Sequence, residues 1–438
     1  MTNRSKNTLA FLLGLGSITQ IRIIGSFAIS EIFCLFVAPF VFLKCFSQIH
    51  KSRMWAMLGF ALLWLLSAMA SDYWHETVLI NALKGCGAIV ILMAGMICSY
   101  GLLHDDLMRV RYFAVGVAGS YIIAMFVFQP ASLVGWANDS GASVSEIMDY
   151  QRFYVSVVMS AVAAIAAIAY GIMPMFVALL LLATAVVNLL QGSRSPFVFC
   201  LLTATIAFMC RVRNLRRLWK NAWKIITIMV LILLFCKYSY ESAVQKGWLG
   251  DAELKKYENA VATKIGLLSG RSEFFTAGFA IRDAPIMGFG SWPLDNNGYG
   301  MQCAEWLDDE VKISIETFYR AHHFVDYIPT HSHIMGAWVW HGFLGFVFWL
   351  AVFIWMIRYF RNGLLLCRPL IAYNTLLFTS MLWALLFSPF GGRIAWGVLL
   401  ATVSATLMEV DRRRRLRQEG LPISMYEPWD GKALDYKL

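Results

Sequence analysis

The sequence predicts an all-α protein embedded in a membrane, with about twelve spans and one long loop before the third-last of them. Three observations carry this. Of 438 residues, 59% are hydrophobic and only 15% charged, against about 25% charged in soluble domains. The mean hydropathy is +0.61, more than a water-soluble fold of this size carries on its surface. Apolar runs long enough to cross a bilayer follow one another through the chain. Disordered, collagen-like and disulfide-scaffold classes are excluded, and so is a soluble nucleic-acid binder, despite a net charge of +10. Eight of the nine cysteines lie in apolar segments or at their ends, leaving Cys303 alone in a polar stretch. No structural disulfide is expected, and no spacing of Cys and His suits zinc.

In chain order the spans are read at 8–23, 27–45, 54–70, 78–100, 112–128, 151–170, 172–190, 196–210, 223–238, 334–357, 370–387 and 394–409. A crossing helix needs roughly 20 mostly apolar residues. The first run is the shortest in effect, because it holds Gly14, Gly16 and Arg22, and a half-helix or an interfacial segment is its alternative. The start MTNRSKNTLAFLLGLG has the basic and apolar regions of a signal peptide without a small-residue cleavage site, so it is read as a retained helix. With the N-terminus in the cytoplasm and the spans alternating, 23 of the 37 basic residues fall on the cytoplasmic side, as the positive-inside rule requires. Both termini are then cytoplasmic, and Arg412 to Arg415 form a stop-transfer flank.

That orientation puts 129–150 and 239–333 outside. The chain divides into an N-terminal bundle of about nine spans (1–238), an outer loop (239–333), C-terminal transmembrane helices (334–409) and a basic tail (410–438). A long loop in a compact membrane domain is usually functional. This one is expected to lay two or three helices over the outer face of the bundle, joined by GFGSWPLDNNGYG.

The loop holds thirteen acids against eight bases, so an anion bound there needs particular arginines. Charges at membrane depth are costly and usually face a cavity or a partner. Arg22, Arg152 and Lys84 sit near span ends, where snorkelling to water is the plainer account. Arg393 follows SPFGG at the start of the last span. Arg194 differs, because Gly192, Ser193 and Ser195 surround it in a turn whose backbone N–H groups can approach an anion, and Pro196 starts the next helix well. His331 and His333 stand where the long loop meets the tenth span. Histidine takes a proton near neutral pH, as general-base catalysis on a hydroxyl requires, although an interfacial hydrogen bond is the commoner role for such a residue. His322, His323 and His341 keep that commoner role. A metal reading of His322, His323, His331 and His333 has no helical ligand spacing behind it.

Three segments in order resemble the O-antigen ligase and polymerase superfamily of bacterial membrane glycosyltransferases. GSRSPF is similar to the family's Ser-Arg opening a helix. SGRSEFFTAGFAIRDAPIMGFGSW resembles its Gly-Arg, bulky pair and Pro-x-x-Gly-x-Gly turn. HSHIMGAWVWHGFLG is similar to its histidine followed eleven residues later by Gly-x-x-Gly, here from His331 to Gly342 and Gly345. Two positions depart from the pattern: Ser332 stands where the family commonly has Asn, and Trp340 where it often has an acid.

The resemblance implies a GT-C-like, inverting, metal-independent transferase of the inner membrane with no cofactor. Its donor would be a glycan on undecaprenyl pyrophosphate at the periplasmic face. Arg194 and Arg271 match the family's arginines and would hold the pyrophosphate, whose oxygens a guanidinium can fork. His331 would take the proton from the attacking sugar hydroxyl. His333, Arg393, Ser193, Gly288 and Gly290 would support the site. Trp292, Tyr299, Phe318, Tyr319 and Tyr327 would stack on sugars or pack the loop onto the bundle. The acceptor would be a lipid-linked repeat unit, making the protein a polymerase of O-antigen or exopolysaccharide, with a chain-length regulator as a further partner. The alternative is a ligase whose acceptor is the lipid A core. A transporter or flippase is the distant alternative, and no internal repeat with broken helices supports it.

Overall fold

The computed structural model describes residues 2–127 apart from 18–19 and 23–25, 158–211 apart from 191–192, and 222–261 apart from 252–253, 255–256 and 259–260. It further describes 272–307, 327–362 apart from 329, and 370–419 apart from 389 and 392. Arg152, Arg271, Phe318, Tyr319, His322, His323 and the outer segment 129–150 lie outside the described residues.

The regular elements of the described chain are helices apart from one small hairpin and an isolated bridge between Leu294 and Tyr327. Helix α1 (Asn3–Leu15) leads through strands β1 (Gln20–Arg22) and β2 (Ser26–Ala28) into α2 (Ile29–His50), α3 (Met54–Trp74), α4 (Leu79–Leu103) and α5 (Arg109–Val127). Then come α6 (Val158–Ala169), α7 (Pro174–Leu190), α8 (Arg194–Arg211) and α9 (Ala222–Gln245). The loop region supplies α10 (Ser272–Asp283) and α11 (Tyr299–Leu307), followed by α12 (His333–His341), α13 (Phe343–Asn362), α14 (Ile371–Phe387) and α15 (Arg393–Gln418). Five of these, α2, α3, α4, α13 and α15, are long and apolar enough to cross a membrane, and α6, α7, α8 and α14 are shorter apolar helices.

The first run departs from expectation. A helix over 8–23 was expected, but α1 starts at Asn3 and ends at Leu15, capped by Gly16. Arg22 lies instead in β1, paired with Ser26 of β2. At 1.5 Å per residue its thirteen residues cover about 20 Å, short of a hydrocarbon core of about 30 Å. The stretch after Gly16 holds Ile18, Ile21, Ile23 and Ile24, β-branched residues that suit an extended chain better than a helix. The all-α expectation therefore holds for every described element except this hairpin.

Packing runs through α4, which lies along both α2 and α15, while α13 packs on α3, α14 on α8, and α1 on α5. Trp64, Trp349 and Trp396 are fully buried where α3, α13 and α15 meet. Trp349 meets Trp64 at 5.7 Å and Trp396 at 4.9 Å, both edge to face, the preferred geometry of ring quadrupoles. The end of the bundle holding the N-terminus is tied by charge. Buried Arg109 donates to Asp105, to Asn3 Oδ1 at 3.0 Å and to Leu102 O at 2.9 Å. Burial raises the Asp105 carboxyl pKa, but the hydrogen bonds from Lys6 and Arg109 outweigh it and hold the group below its ordinary value.

Candidate active site

The site forms at the opposite end, where α12 interrupts the path into α13. Ser332 takes an extended backbone (φ −157°, ψ 133°) and caps α12 by accepting the Met335 N–H at 3.2 Å. The same hydroxyl donates to Leu385 O of α14 at 3.0 Å. Ser and Asn are equally good at this capping position, so the departure at Ser332 keeps the local geometry. The cap splits the two neighbouring histidines. His333 turns inward and is 2% exposed. Its Nδ1 lies 2.9 Å from Ser388 O and must donate, and its Nε2 accepts from Trp396 Nε1 at 3.1 Å. Both ring nitrogens are thus engaged in holding the turn that leads to Arg393. His331, just before the cap, keeps 47% of its side chain exposed and faces a cavity.

Glu273 was counted in the sequence only as one of the loop's acids. It stands in the first turn of α10, with Oε1 3.5 Å from His331 Nδ1. Its other oxygen, Oε2, is buried with no hydrogen-bond partner among the described residues. Glu273 thus ties the start of α10 to the histidine segment.

The GFGSW turn is locked to the bundle from two sides. Phe289 N–H donates to Val339 O at 2.8 Å and Gly290 N–H to Trp340 O at 2.9 Å. His75 Nε2 donates to Gly288 O at 2.8 Å. Gly288 and Gly290 have φ of 73° and 81°, the left-handed region that glycine enters without a Cβ penalty. A Cβ on Gly290 would stand 2.3 Å from Thr77 Oγ1. Gly342 closes the other side, with φ 72° and its Cβ position 1.9 Å from Ile286 O.

A buried polar chain fastens this turn. Asp72 of α3 accepts Ser291 N–H at Oδ1 (2.6 Å) and Ser291 Oγ–H at Oδ2 (2.9 Å). Ser291 has spent its proton on Asp72, so His341 Nε2, 3.0 Å away, donates to Ser291 Oγ. His341 Nδ1 then accepts from Trp64 Nε1 at 2.9 Å. Each buried polar group has its partner, as a network must to stabilise rather than cost. His341 keeps the hydrogen-bonding role expected of it; Asp72, Ser291 and Trp64 carried no sequence signal beyond their residue types.

These elements enclose a cavity of about 1140 Å³ lined from α2, α3, α4, α5, α6, α8, α12, α14 and α15. Its rim carries Trp292, Trp340 and Tyr327, with Trp292 at 4.9 Å from Trp340 and 6.3 Å from Tyr327. Trp292 holds φ 58°, a conformation that costs about 1–3 kcal/mol and persists only where the surroundings enforce it. Tyr299 is 1% exposed and donates to Asp283 Oδ2 at 3.0 Å, so it packs the loop. Burial raises the Tyr299 pKa, while hydrogen bonds from Arg282 and Tyr299 hold the Asp283 carboxyl below its ordinary range.

Among the described residues the charged cavity-lining side chains are Glu31, Lys84 and Arg393, with His331 beside them. Arg393 is bound bidentately, Nε to Glu31 Oε1 at 2.7 Å and Nη2 to Oε2 at 3.0 Å. Arg194 opens α8 with its guanidinium 4.4 Å from the Tyr240 ring centroid. It is not among the lining residues, although Pro196 and Phe199 of the same helix are. Ser193 precedes it, with its N–H on Asn188 O at 2.9 Å and its carbonyl accepting Phe197 N–H at 3.2 Å.

Residues 176–350 match a family model described as O-antigen ligase. The matched region spans nearly all of α7 through the start of α13 and contains Arg194, Arg271, Gly288, Gly290, His331 and His333. No curated protein and no solved structure matches the chain. The family match supports the O-antigen ligase and polymerase superfamily and, with the apolar helices, a multi-pass protein of the bacterial inner membrane.

Proposed function

We propose that this chain is an inverting, metal-independent membrane glycosyltransferase, working on a glycan carried by undecaprenyl pyrophosphate at the periplasmic face. The observation that carries this reading is His331 facing a cavity of about 1140 Å³ with Glu273 at its back. An acceptor sugar hydroxyl attacks the anomeric carbon of the donor glycan. The new C–O bond forms as the bond to the pyrophosphate oxygen breaks, and undecaprenyl pyrophosphate leaves with the electron pair. His331 takes the hydroxyl proton. Glu273 beside Nδ1 favours Nε2 as the nitrogen that receives it and stabilises the imidazolium formed. Arg194 and Arg271 hold the pyrophosphate. Arg393, already forked onto Glu31, and Ser193, Gly288, Gly290 and His333 support the walls. The rim aromatics Trp292 and Tyr327 meet the sugar faces.

The basic end of the bundle faces the cytoplasm in this reading, with both termini there and the 239–333 loop outside; of the twelve apolar segments the first enters as the short helix α1 followed by the hairpin. Repeat-unit polymerisation is the first reading, with the second lipid-linked glycan as acceptor and a chain-length regulator as partner. Transfer to the lipid A core is the second, favoured by the description of the matched family. A deletion strain separates them. Lipid A core bearing a single repeat marks a missing polymerase. Bare core with long lipid-linked polymer marks a missing ligase, and unchanged surface glycan contradicts both.

Glu273 acts through His331 as a positioning residue. Glu273→Gln is expected to lower turnover by about tenfold, the worth of one hydrogen bond to a charged group. Glu273→Asp should recover part of it. Unchanged turnover in Glu273→Gln would remove the role.

A further inference from the structure

The cavity holds one cation that the reaction scheme does not use. Lys84 lies five residues into α4, a helix long and apolar enough to cross a membrane. An ammonium there is about 7.5 Å from the helix start at 1.5 Å per residue, and it is exposed, within reach of an anion that enters the cavity. Arg393, the other lining cation among the described residues, is neutralised by Glu31. Lys84 has no hydrogen-bond or ion-pair partner among the described residues and lines the same cavity as His331.

The surroundings of Lys84 point to the kind of anion. Lys84, Gly87, Ala88 and Ile91 all line the cavity, and their spacing of three, four and seven puts them on one stripe of α4. The stripe begins with a charge at the end nearest the GFGSW turn and becomes apolar with depth. Phe113 and Val117 of α5 add to the apolar lining. A Cβ added at Gly87 would meet nothing within 4 Å, so the wall is open beside the lysine. Leu83 lines the cavity and is also 56% exposed, which opens the cavity sideways at this level. A cation above an apolar, laterally open groove fits an amphiphilic phosphate, with its head at Lys84 and its hydrocarbon running inward.

We infer that Lys84 binds a phosphate of the polyprenyl diphosphate and that the α4 stripe below it receives the start of the polyprenyl chain. Lysine suits this as a point charge on a flexible stem. The inference rests on the proposed donor and deepens it.

The test uses the full-length protein in lipid nanodiscs, as wild type, Lys84→Met and Lys84→Arg, checked for equal thermal stability. Transfer is measured against donor concentration, and the binding of undecaprenyl pyrophosphate, undecaprenyl phosphate and inorganic pyrophosphate is measured directly. Lys84→Met is expected to raise the donor KM and weaken undecaprenyl pyrophosphate binding by about tenfold, leaving the acceptor KM unchanged. Lys84→Arg should stay near wild type. Unchanged undecaprenyl pyrophosphate binding in Lys84→Met overturns the assignment. Inorganic pyrophosphate binding as tightly as the lipid form overturns the groove. A wild-type protein that transfers nothing defeats the proposed function instead, and the binding arm still decides Lys84.

Discussion

Replacing His331 with Ala should lower glycan transfer by about 10²–10⁴-fold, the usual worth of a positioned general base, while the protein still inserts and elutes as a single species. The side chain is 47% exposed, so its loss opens no buried cavity. Its neighbour gives the contrast. His333 is buried with both nitrogens engaged by Ser388 and Trp396, and His333→Ala leaves a buried carbonyl and an indole N–H unpaired. Unsatisfied buried groups cost about 1–3 kcal/mol each, so His333→Ala should lose stability and activity together. Transfer assays run beside thermal unfolding distinguish the two. Wild-type-like transfer by His331→Ala would remove the base assignment.

Gly342→Ala is expected to be the most disruptive small substitution. Its φ of 72° and ψ of −160° lie in a region essentially reserved for glycine, at about 1–3 kcal/mol for any other residue. The added methyl would also stand 1.9 Å from Ile286 O and 2.5 Å from Ile286 C, backbone that cannot move without breaking the Phe343 N–H bond to Ile286 O. Overpacking adds about 1–3 kcal/mol. A total of roughly 2–6 kcal/mol should appear as a lower unfolding midpoint together with lost transfer, because the turn carrying Ser291 and Trp292 is displaced. Gly278→Ala is the control. It sits on the exposed face of α10 with nothing within 4 Å of the added methyl, and alanine's helix propensity makes it neutral or stabilising. Equal midpoints for the two variants would contradict the close approach at Gly342.

The sequence spoke clearly where one residue type repeats over a whole helix. The apolar runs at 27–45, 54–70, 78–100 and 394–409 coincide with α2, α3, α4 and α15, because spanning length and apolar composition are properties of the run itself. The first run matches its alternative, a half-helix, rather than a full span, because the same apolar count serves a helix to Leu15 and a β-branched hairpin after it. Within the site, His331, Gly288 and Gly290 were legible as motif members. Glu273 was not, since its role depends on α10 meeting the residue before α12. Asp72 and Ser291, 219 residues apart, pair only through the packing of the loop turn on α3. Lys84 was legible as a charge within a span, but not as the cation left over once Glu31 takes Arg393.

Glycosyl transfer at this cavity is tested most directly by purified protein, a polyprenyl-diphosphate-linked glycan and an acceptor glycan, in the presence of chelator. One undecaprenyl pyrophosphate should be released for each new glycosidic bond, and neither product should form with His331→Ala. Absence of both products in the wild-type protein, or a reaction restored only by a divalent ion, would contradict a metal-free transfer carried by His331.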